Sequence, residues 1–369
     1  MLIKSNKTVA VAMSGGVDSS VSAIILKNRG YSVIGVSMHL ISGNVASGAL
    51  KTCCSIDDII SAKRVCVKLG IPHFVINLEN EFKTAVIDRF VLEYLGGKTP
   101  NPCILCNCVM KFDLLLKRAK ELGAKFLATG HYARITKNTS GLYFLLKSKD
   151  LTKDQSYVLY DLSQENLKSI IFPVGNMNKR QTRQIASDAG FAEISGKKDS
   201  VEICFIPNKD YAGFIKKQSS ELPDISNGCL KKGFIKNLKG EIIGEHNGIF
   251  NYTVGQRKRL GISSKNPLYV VKISAENNEI FAGNLEDCLS DALTVKNFNF
   301  INPGDKNILH EMKTTAKIRY SSPDYKCSAF VSEGGSVKIK FDEKVKFITP
   351  GQSIVVYSGI KVIGGGIIE

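Results

Sequence analysis

One short segment of the chain combines glycines, hydroxyl groups and a carboxylate in a pattern suited to phosphate binding. The apolar run Val9–Met13 leads into Ser14-Gly15-Gly16-Val17-Asp18-Ser19-Ser20, and a helical pattern follows. Backbone N–H groups at the start of a helix can surround a phosphate, and a carboxylate such as Asp18 can help to hold Mg²⁺. The segment is neither a Walker A loop nor a dinucleotide G-x-G-x-x-G loop. It therefore predicts a phosphate site of another kind.

The chain has 10 cysteines, and six of them stand where sulfur or metal chemistry is possible. These six are Cys53, Cys54, Cys103, Cys106, Cys108 and Cys204. The C-x-x-C spacing is a common half of a zinc site, but the sequence offers no second half. Two thiols that meet near a nucleotide can instead transfer sulfur and close a disulfide, and Cys106 and Cys204 suit that role. Cys204 is equally compatible with a buried apolar position. The others resemble small core residues: Cys66, Cys229, Cys288 and Cys327.

Alternating strands and helices are expected to position these residues. In the first two hundred residues, short β-rich runs alternate with helical patterns, which is typical of a parallel sheet wrapped by helices. Gly130 follows one predicted strand, at the sheet edge where α/β proteins bind ligands, and the adjoining His131 is expected to be structural. Met38, at the end of the second strand, is either an adenine neighbour or a plain core residue. The cysteine cluster follows a predicted loop at 98–102 and precedes a predicted helix at 112–122.

Beyond about residue 205 the pattern changes. Short runs of Val, Ile, Phe and Tyr are interrupted by Gly, Pro and Asn about every 8 to 12 residues, which is typical of small β-barrels or sandwiches. We therefore predict an α/β catalytic domain at 1–205, a central β-rich domain at 206–280 and a C-terminal β-domain at 281–369. The second boundary rests on the pair Asn277-Asn278.

The charge balance favours a polyanionic partner. The chain has 50 Lys and Arg against 34 Asp and Glu, a net charge of +16, and both sides of residue 205 carry a basic excess. Nucleic acid is the favoured partner of so basic a protein. No apolar run reaches the roughly 18 to 20 residues that span a bilayer, and the start lacks a signal-peptide pattern. We therefore expect a cytoplasmic protein without membrane association, in which a structural disulfide framework is not expected.

Nine segments, in order along the whole chain, resemble the tRNA-specific 2-thiouridylase family, whose N-terminal domain carries the PP-loop of ATP pyrophosphatases. The segments are Ala12–Ser19, Cys53–Asp57, Thr99–Asn107, Ala128–Arg134, Lys153–Tyr157, Asp199–Phe205, Tyr252–Arg257, Ile318–Tyr320 and Gly364–Gly366. The family replaces oxygen-2 of the wobble uridine of tRNA by sulfur, so the resemblance implies a sulfurtransferase that uses ATP and Mg²⁺. It also implies an adenine nucleotide α-hydrolase-like parallel-sheet domain followed by two smaller β-rich domains, the last a β-barrel.

The resemblance further implies roles for individual residues. Cys106 would be the nucleophile that closes a disulfide, Cys204 would carry a persulfide, and Asp18 would hold Mg²⁺. The residues expected to bind ATP are Ala12, Met13, Ser14, Gly15, Gly16, Val17, Asp18, Ser19, Met38 and Gly130. Those expected to contact tRNA are Asn101, Pro102 and Cys103 at the target base, and Lys153, Asp154, Gln155, Arg319 and Tyr320 elsewhere. The implied partners are wobble-uridine tRNAs, such as the Lys, Glu and Gln acceptors, and a persulfide donor, either a cysteine desulfurase or a sulfur-relay protein.

Three positions depart from the family pattern. Many members have Asp at Cys103, most have Gln at Val201, and Gly is usual at Arg259. Cys103 adds a third thiol, so Cys103, Cys106 and Cys204 could alternatively bind an iron–sulfur cluster. Two other functions remain compatible with parts of the pattern. One is a lysidine-synthetase-like PP-loop enzyme, which needs no cysteine pair, and the other is a non-catalytic RNA-binding protein whose cysteines hold metal.

Overall fold

The computed structural model describes residues 5–41, 56–196, 203–206, 210–222 and 228–369. The chain divides into two compact units. The first comprises residues 1–85, 103–209 and 360–362, and the second comprises residues 86–102, 210–359 and 363–369. The segment 86–102 therefore belongs to the second unit although it precedes the cysteine cluster in the sequence.

A parallel sheet forms the centre of the first unit. The strands of this unit are β1 (Ser5–Ala12), β2 (Tyr31–His39), β3 (His73–Asn77), β4 (Phe126–Ala128), β5 (Ala133–Lys137), β6 (Tyr143–Lys147) and β7 (Ile170–Ile171). Five of them are parallel in the order β3-β2-β1-β4-β7, and β5 and β6 form an antiparallel hairpin. The strand order reverses between β1 and β4, and ligands of α/β sheets bind at such a switch point, outside the carboxyl ends of the strands. The phosphate loop follows β1 and Gly130 follows β4, so both lie at this point.

Helices cover this sheet and also occur in the second unit. They are α1 (Val17–Asn28), α2 (Ile56–Leu69), α3 (Glu79–Phe82), α4 (Arg89–Leu95), α5 (Pro102–Leu105), α6 (Leu116–Glu121), α7 (Gln164–Lys168), α8 (Lys179–Asp188), α9 (Ala192–Ser195), α10 (Tyr211–Ser219) and α11 (Asp305–Ile308). The core of the first unit contains Val9 and Val11 of β1 together with Val21 and Ile24 of α1. The buried run in β1 is continuous, since Ala10 is as fully buried as Val9 and Val11, which is typical of a parallel strand covered on both faces. Nine of the twelve residues of α1 are also buried, so this helix belongs to the core and not to the surface.

The second unit contains a four-stranded sheet and a β-barrel. Its strands are β8 (Gly233–Lys236), β9 (Ile242–His246), β10 (Tyr269–Ser274), β11 (Glu279–Gly283), β12 (Leu289–Phe300), β13 (Thr314–Lys317), β14 (Tyr325–Val331), β15 (Val337–Lys346), β16 (Ser353–Ser358) and β17 (Lys361–Ile368). The first four pair in the order β10-β11-β8-β9. The last six pair in the order β12-β15-β14-β13-β16-β17, and the pairing of β12 with β17 closes the barrel. The predicted fold class is confirmed.

The sequence boundary at 280 lies inside a strand. Residues 277–278 form the turn between β10 and β11, which are neighbours in one sheet, so the chain leaves that sheet after Gly283. The paired Asn residues marked a hairpin turn and not the end of a sheet, because Asn tolerates the left-handed conformation found at Asn278 (φ +51°). Within the parts of the chain that the structure describes, no helix is long and apolar enough to cross a membrane.

Candidate active site

The phosphate loop is shaped by its own glycines and hydroxyl groups. Gly15 has a φ of +67°, and an added Cβ there would lie 2.9 Å from the Asp58 Cα. The Ser19 hydroxyl accepts a hydrogen bond from the Ser14 N–H (3.2 Å) and donates one to the Gly16 carbonyl (3.1 Å). Gly16 is the N-cap residue of α1 and has no side chain to cap the helix. The N–H groups of the first helical turn therefore suit a bound phosphate.

Gly130 packs directly against this loop. A Cβ at Gly130 would lie 2.7 Å from both the Asp18 carbonyl carbon and the Ser19 nitrogen. Because these are backbone atoms, no side-chain movement would relieve the contact. The loop after β4 thus approaches the loop after β1 as closely as only glycine permits, and its predicted contact with ATP stays a prediction.

Asp18 lies at the centre of a polar network. The Lys179 ammonium donates to Oδ1 (2.9 Å) and Oδ2 (2.8 Å) of Asp18. The Tyr132 hydroxyl donates to Asp18 Oδ1 at 2.8 Å and lies 3.0 Å from the buried Thr182 hydroxyl. A cavity of about 430 Å³ opens beside Lys179 and is lined by further basic side chains, including Arg180. Sequence reasoning missed Lys179 and Tyr132. Tyr132 lies within the segment Ala128–Arg134, which resembles the family. The capping box of Asn178 and Gln181 could have located the start of α8, but not the contact of Lys179 with Asp18.

The apolar residues of the predicted nucleotide site line the ends of β1 and β2. Ala12 ends β1, Met13 and Val17 are buried, and the Met13 N–H donates to the Val36 carbonyl at 2.7 Å. Met38 is buried near the end of β2. Burial alone suits a core residue as well as an adenine neighbour, so the contact of Met38 with adenine remains a prediction.

The cysteine cluster lies on a helix and not in a loop. The helix begins at Pro102 as α5, passes through π-helical turns at Cys106–Leu115 and ends with α6. Proline favours the first position of a helix because it lacks the N–H that would have no partner there, so Pro102 starts this helix earlier than the predicted 112. Cys103 is exposed and Cys106 is half-buried, both in the first turns.

Cys108 differs chemically from its two neighbours. Burial and the nearby Asp161 and Asp113 carboxylates raise the pKa of the Cys108 thiol to about 12. Its S–H group donates to the Asp161 carbonyl at 3.8 Å. The thiolate is the nucleophilic form of cysteine, so Cys108 is unsuited to attack at neutral pH.

Cys204 lies in a short described segment, residues 203–206, flanked by residues outside the described ranges. It is half-buried, and neither Cys106 nor Cys204 forms a disulfide in the structure. The ring of Phe205 packs edge-on against Phe82 of α3, with centroids 5.8 Å apart, and α3 contacts the π-helical stretch that begins at Cys106. The two cysteines therefore belong to neighbouring segments of the first unit.

Metal binding by the cysteines gains no support from this arrangement. Across the described ranges, which include Cys103, Cys106 and Cys204, no group of three or more His, Cys, Asp or Glu side chains is placed to hold a metal ion. Cys53 and Cys54, which a zinc site could recruit, lie outside those ranges. The four cysteines predicted to be core residues are all buried: Cys66, Cys229, Cys288 and Cys327.

His131 is a buried, neutral residue. Desolvation, and then the charge of Lys111, hold the pKa of His131 well below its usual value. Its Nδ1 is hydrogen-bonded to the Thr129 hydroxyl at 2.7 Å, and its ring packs against Phe112 and Phe172. These contacts agree with the structural role predicted for it.

The predicted tRNA-contact residues 153–155 have different surroundings. Asp154 is buried, and its carboxylate accepts hydrogen bonds from the Ser148 N–H (2.8 Å) and the Ser156 hydroxyl (2.7 Å). The Gln155 side chain accepts from the Tyr132 N–H at 2.9 Å. These two side chains therefore shape their own loop, and Lys153, which is half-exposed, has the greater access to a ligand.

In the second unit, the segment that leads to Asn101 and Pro102 is fixed by several contacts. The Thr99 hydroxyl donates to the Thr253 hydroxyl at 3.1 Å, and the Thr99 N–H donates to the Pro350 carbonyl at 3.0 Å. The Gln352 side chain donates to the Thr99 carbonyl at 2.7 Å. Barrel residues therefore determine the path of the chain just before Asn101, which is half-exposed, and Pro102, which is buried.

Arg319 and Tyr320 are adjacent in the chain, but their side chains have different surroundings. The Arg319 guanidinium donates to the Phe347 carbonyl (2.8 Å) and to the Thr349 hydroxyl (2.5 Å). The Tyr320 side chain is 44% exposed. Arg319 thus stabilises the barrel, while Tyr320 is accessible to a partner, and their contacts with tRNA stay predictions.

The phosphate loop meets Gly130 at the switch point of a parallel sheet, and the chain also forms a closed β-barrel. These features are those of a PP-loop protein of the α/β class. Comparisons with known proteins agree. Residues 7–208 match the family model described as a tRNA methyl transferase HUP domain. Residues 228–284 match the tRNA methyl transferase PRC-barrel domain, and residues 290–368 match the aminomethyltransferase beta-barrel domain.

Curated relatives match the chain over its full length. The tRNA-specific 2-thiouridylase MnmA of Clostridioides difficile is 45% identical over 365 residues, which cover 99% of this chain and 98% of that relative. The protein of the same name from Geobacter metallireducens is 43% identical over 373 residues, which cover 100% and 98%. A solved 4-thiouridine synthetase–RNA complex with bound ATP is 19% identical over 59% of this chain and 51% of its own, with a TM-score of 0.34. This chain belongs to the tRNA-specific 2-thiouridylase family.

Proposed function

We propose that this protein replaces oxygen-2 of the wobble uridine of tRNA by sulfur, using ATP to activate the oxygen and a cysteine persulfide to supply the sulfur. The observation that carries the proposal is the presence, in one compact unit, of the phosphate loop and of the two half-buried thiols Cys106 and Cys204. The full-length relatives bear the name of this activity, which supports the proposal.

Activation of the uracil oxygen is the task of the phosphate loop. A carbonyl oxygen is a poor leaving group, so oxygen-2 would first attack the α-phosphate of ATP, release pyrophosphate and become part of an AMP leaving group. Ala12–Ser19 and Gly130 would surround the phosphates, and Met38 would border the adenine. The positive end of the α1 dipole and the backbone N–H groups there would stabilise the negative charge that develops.

Mg²⁺ fits this loop as an ion that ATP phosphates and one carboxylate hold together. Such sites commonly use one or two carboxylates with phosphate oxygens as the remaining ligands. Asp18 is the carboxylate of the loop, and both of its oxygens accept hydrogen bonds from Lys179. Lys179 would therefore share Asp18 with the ion or turn towards a phosphate. When bound, Mg²⁺ would offset the charge of the leaving pyrophosphate.

Sulfur transfer is assigned to Cys204 and Cys106. The terminal sulfur of a Cys204 persulfide would attack carbon-2 and displace AMP. The Cys106 thiolate would then attack the Cys204 sulfur, which leaves the transferred sulfur on the base and closes a Cys106–Cys204 disulfide. Alternatively, that attack would first release sulfide, which would itself attack carbon-2. A reductant must open the disulfide before the next turnover.

Binding of tRNA would be largely electrostatic, because the net charge of +16 favours phosphate contacts that weaken with added salt. The residues proposed to contact tRNA are Asn101, Pro102, Cys103, Lys153, Asp154, Gln155, Arg319 and Tyr320. We extend the proposal to wobble-uridine tRNAs such as the Lys, Glu and Gln acceptors, and to a cysteine desulfurase or relay protein as donor. A three-domain division, with boundaries at about 206 and after Gly283 at the end of β11, and a cytoplasmic site of action are also proposals.

A nucleoside assay distinguishes this function from its rivals. The purified protein, ATP, Mg²⁺, tRNA and a persulfide donor should yield 2-thiouridine and pyrophosphate. Cys106→Ser and Cys204→Ser should each abolish the thiolated nucleoside while pyrophosphate release continues, whereas Asp18→Ala should lose pyrophosphate release. Cys229→Ser, at a buried thiol in the second unit, is the control. A methylated or lysine-bearing nucleoside, or thiolation by Cys204→Ser, would disprove the proposal.

A further inference from the structure

The helix that begins at Pro102 carries an additional thiol, Cys103, which sulfur transfer by Cys106 and Cys204 does not require. Cys103 and Cys106 are three residues apart in the first turns of a helix that begins at Pro102. Helical geometry places such Cα atoms about 5 Å apart. Disulfides form across Cα separations of roughly 4.4 to 6.8 Å, so this pair can be bridged with little backbone movement.

The thiols of Cys103, Cys106 and Cys204 differ in their exposure to solvent. Among the cysteines that the structure describes, Cys103 is the only exposed one, while Cys106 and Cys204 are half-buried. An external reductant therefore reaches Cys103 most easily. Cys108 is unsuited to exchange, because its pKa is raised to about 12.

The helix also changes its hydrogen-bond pattern at this pair. The π-helical stretch begins at Cys106, directly after the α-helical turn that carries Cys103. Such π-helical turns are frequent at functional sites. The backbone at Cys106 is thus at a junction, where a small change of the turn can bring the two sulfur atoms to bonding distance.

We propose that Cys103 is a resolving thiol, which takes over the disulfide left by sulfur transfer and presents it at the surface to an external dithiol reductant. This inference rests on the proposed function, because that function generates the Cys106–Cys204 disulfide. It assigns to Cys103 a catalytic role in addition to its predicted contact with the target base.

The step is an ordinary thiol–disulfide exchange, with no net oxidation. The Cys103 thiolate attacks the sulfur of Cys106, a Cys103–Cys106 bond forms, and the Cys106–Cys204 bond breaks with its electron pair leaving on Cys204. Cys204 is then ready to accept another sulfur. A dithiol reductant subsequently attacks the exposed Cys103 sulfur, Cys106 leaves as a thiolate, and the second thiol of the reductant closes its own disulfide. The reductant supplies both electrons.

Trapping of the disulfide after one turnover tests the exchange. The persulfide-loaded enzyme is mixed with ATP, Mg²⁺ and tRNA without reductant, quenched in acid, alkylated and mapped by peptide mass spectrometry. The wild type should contain mainly a Cys103–Cys106 disulfide, whereas Cys103→Ser and Cys103→Asp should stop at Cys106–Cys204. A Cys106–Cys204 disulfide as the main product of the wild type would overturn the inference.

Steady-state kinetics provide a second test of the disulfide exchange by Cys103. The reductant is a dithiol protein, and the quantity compared is the steady-state rate divided by the first-turnover rate of the same protein. This ratio should be roughly tenfold lower in Cys103→Ser than in the wild type, because the reductant must reach a half-buried disulfide. Cys108→Ser, two residues beyond Cys106, is the matched control and should keep the wild-type ratio. An unchanged ratio in Cys103→Ser would contradict the proposal.

A redox titration of the protein alone separates this inference from the proposed function. Cys204→Ser protein is equilibrated with reduced and oxidised glutathione, and a Cys103–Cys106 disulfide should form in it without tRNA or ATP. If that disulfide does not form, the resolving role fails whatever the enzyme does to tRNA. If it forms but the wild type produces no 2-thiouridine, the proposed function is wrong, and with it the assignment of Cys103 to that reaction.

Discussion

The ammonium of Lys179, the first residue of α8, lies 2.9 Å and 2.8 Å from the two carboxylate oxygens of Asp18, in the first turn of α1. The two residues are 161 positions apart. The pair is largely shielded from water, with side-chain exposures of 12% for Lys179 and 29% for Asp18. This contact connects the carboxylate of the phosphate loop to a helix that sequence motifs did not mark.

Loss of the Lys179 ammonium should impair the phosphate loop. We expect Lys179→Met to reduce tRNA-dependent pyrophosphate release by about tenfold or more, because hydrogen bonds to charged groups contribute about 1.5 to 3 kcal/mol and 1.4 kcal/mol is a factor of ten. Lys120→Met, at an exposed lysine in the last turn of α6, is the control. Equal rates for Lys179→Met and the wild type would show that Lys179 is dispensable.

A single methyl group at Gly130 should disturb the same loop from the other side. The new Cβ would lie 2.7 Å from backbone atoms of Asp18 and Ser19, so Gly130→Ala must displace the loop. We expect a loss of about 1 to 3 kcal/mol in the free energy of unfolding, and nucleotide binding weakened by at least about tenfold. At Gly334, an added Cβ meets no described atom within 4 Å, so Gly334→Ala should resemble the wild type in urea unfolding and ATP titration.

Thiol labelling should follow exposure and pKa. With iodoacetamide at about pH 8, Cys103 should react, because it is exposed. Cys108 should be protected, since a pKa of about 12 leaves only about one thiolate in ten thousand at that pH. Its labelling should rise as the pH approaches 12 or when guanidinium unfolds the chain. Rapid labelling of Cys108 in the folded protein near neutral pH would show that its environment is more polar than the structure indicates.

Protonation of His131 should couple stability to pH. Its folded-state pKa lies well below the ordinary value of about 6.5, so the unfolded chain gains a proton first as the pH falls, and the free energy of unfolding drops below about pH 6.5. The loss amounts to about 1.4 kcal/mol per pH unit for one such group. His131→Asn should reduce this slope in urea unfolding between about pH 7 and 5. Equal slopes for wild type and His131→Asn would refute the assignment.

The sequence alone determined the elements whose signals are local. The strand, glycine loop and helix around Asp18 are contiguous in the chain. β1 is a continuous apolar run because a central strand of a parallel sheet is buried on both faces, so these elements could be predicted. The change to β-rich texture after about residue 205 likewise indicated the barrel, because each short strand carries its own alternation. The nine motifs then indicated the family, since their order along the chain is itself information.

The tertiary structure decided which distant groups meet and which neighbours differ. The contact of Lys179 with Asp18 leaves no periodic signal in a single sequence, because it depends on where α8 packs and not on the residues around it. The sequence also did not show that the Asp154 carboxylate accepts hydrogen bonds from Ser148 and Ser156, since burial depends on how the loop folds back. Cys103 and Cys108 belong to one cluster in sequence, but only packing leaves the first exposed and raises the pKa of the second, because desolvation depends on the atoms that cover each side of a helix.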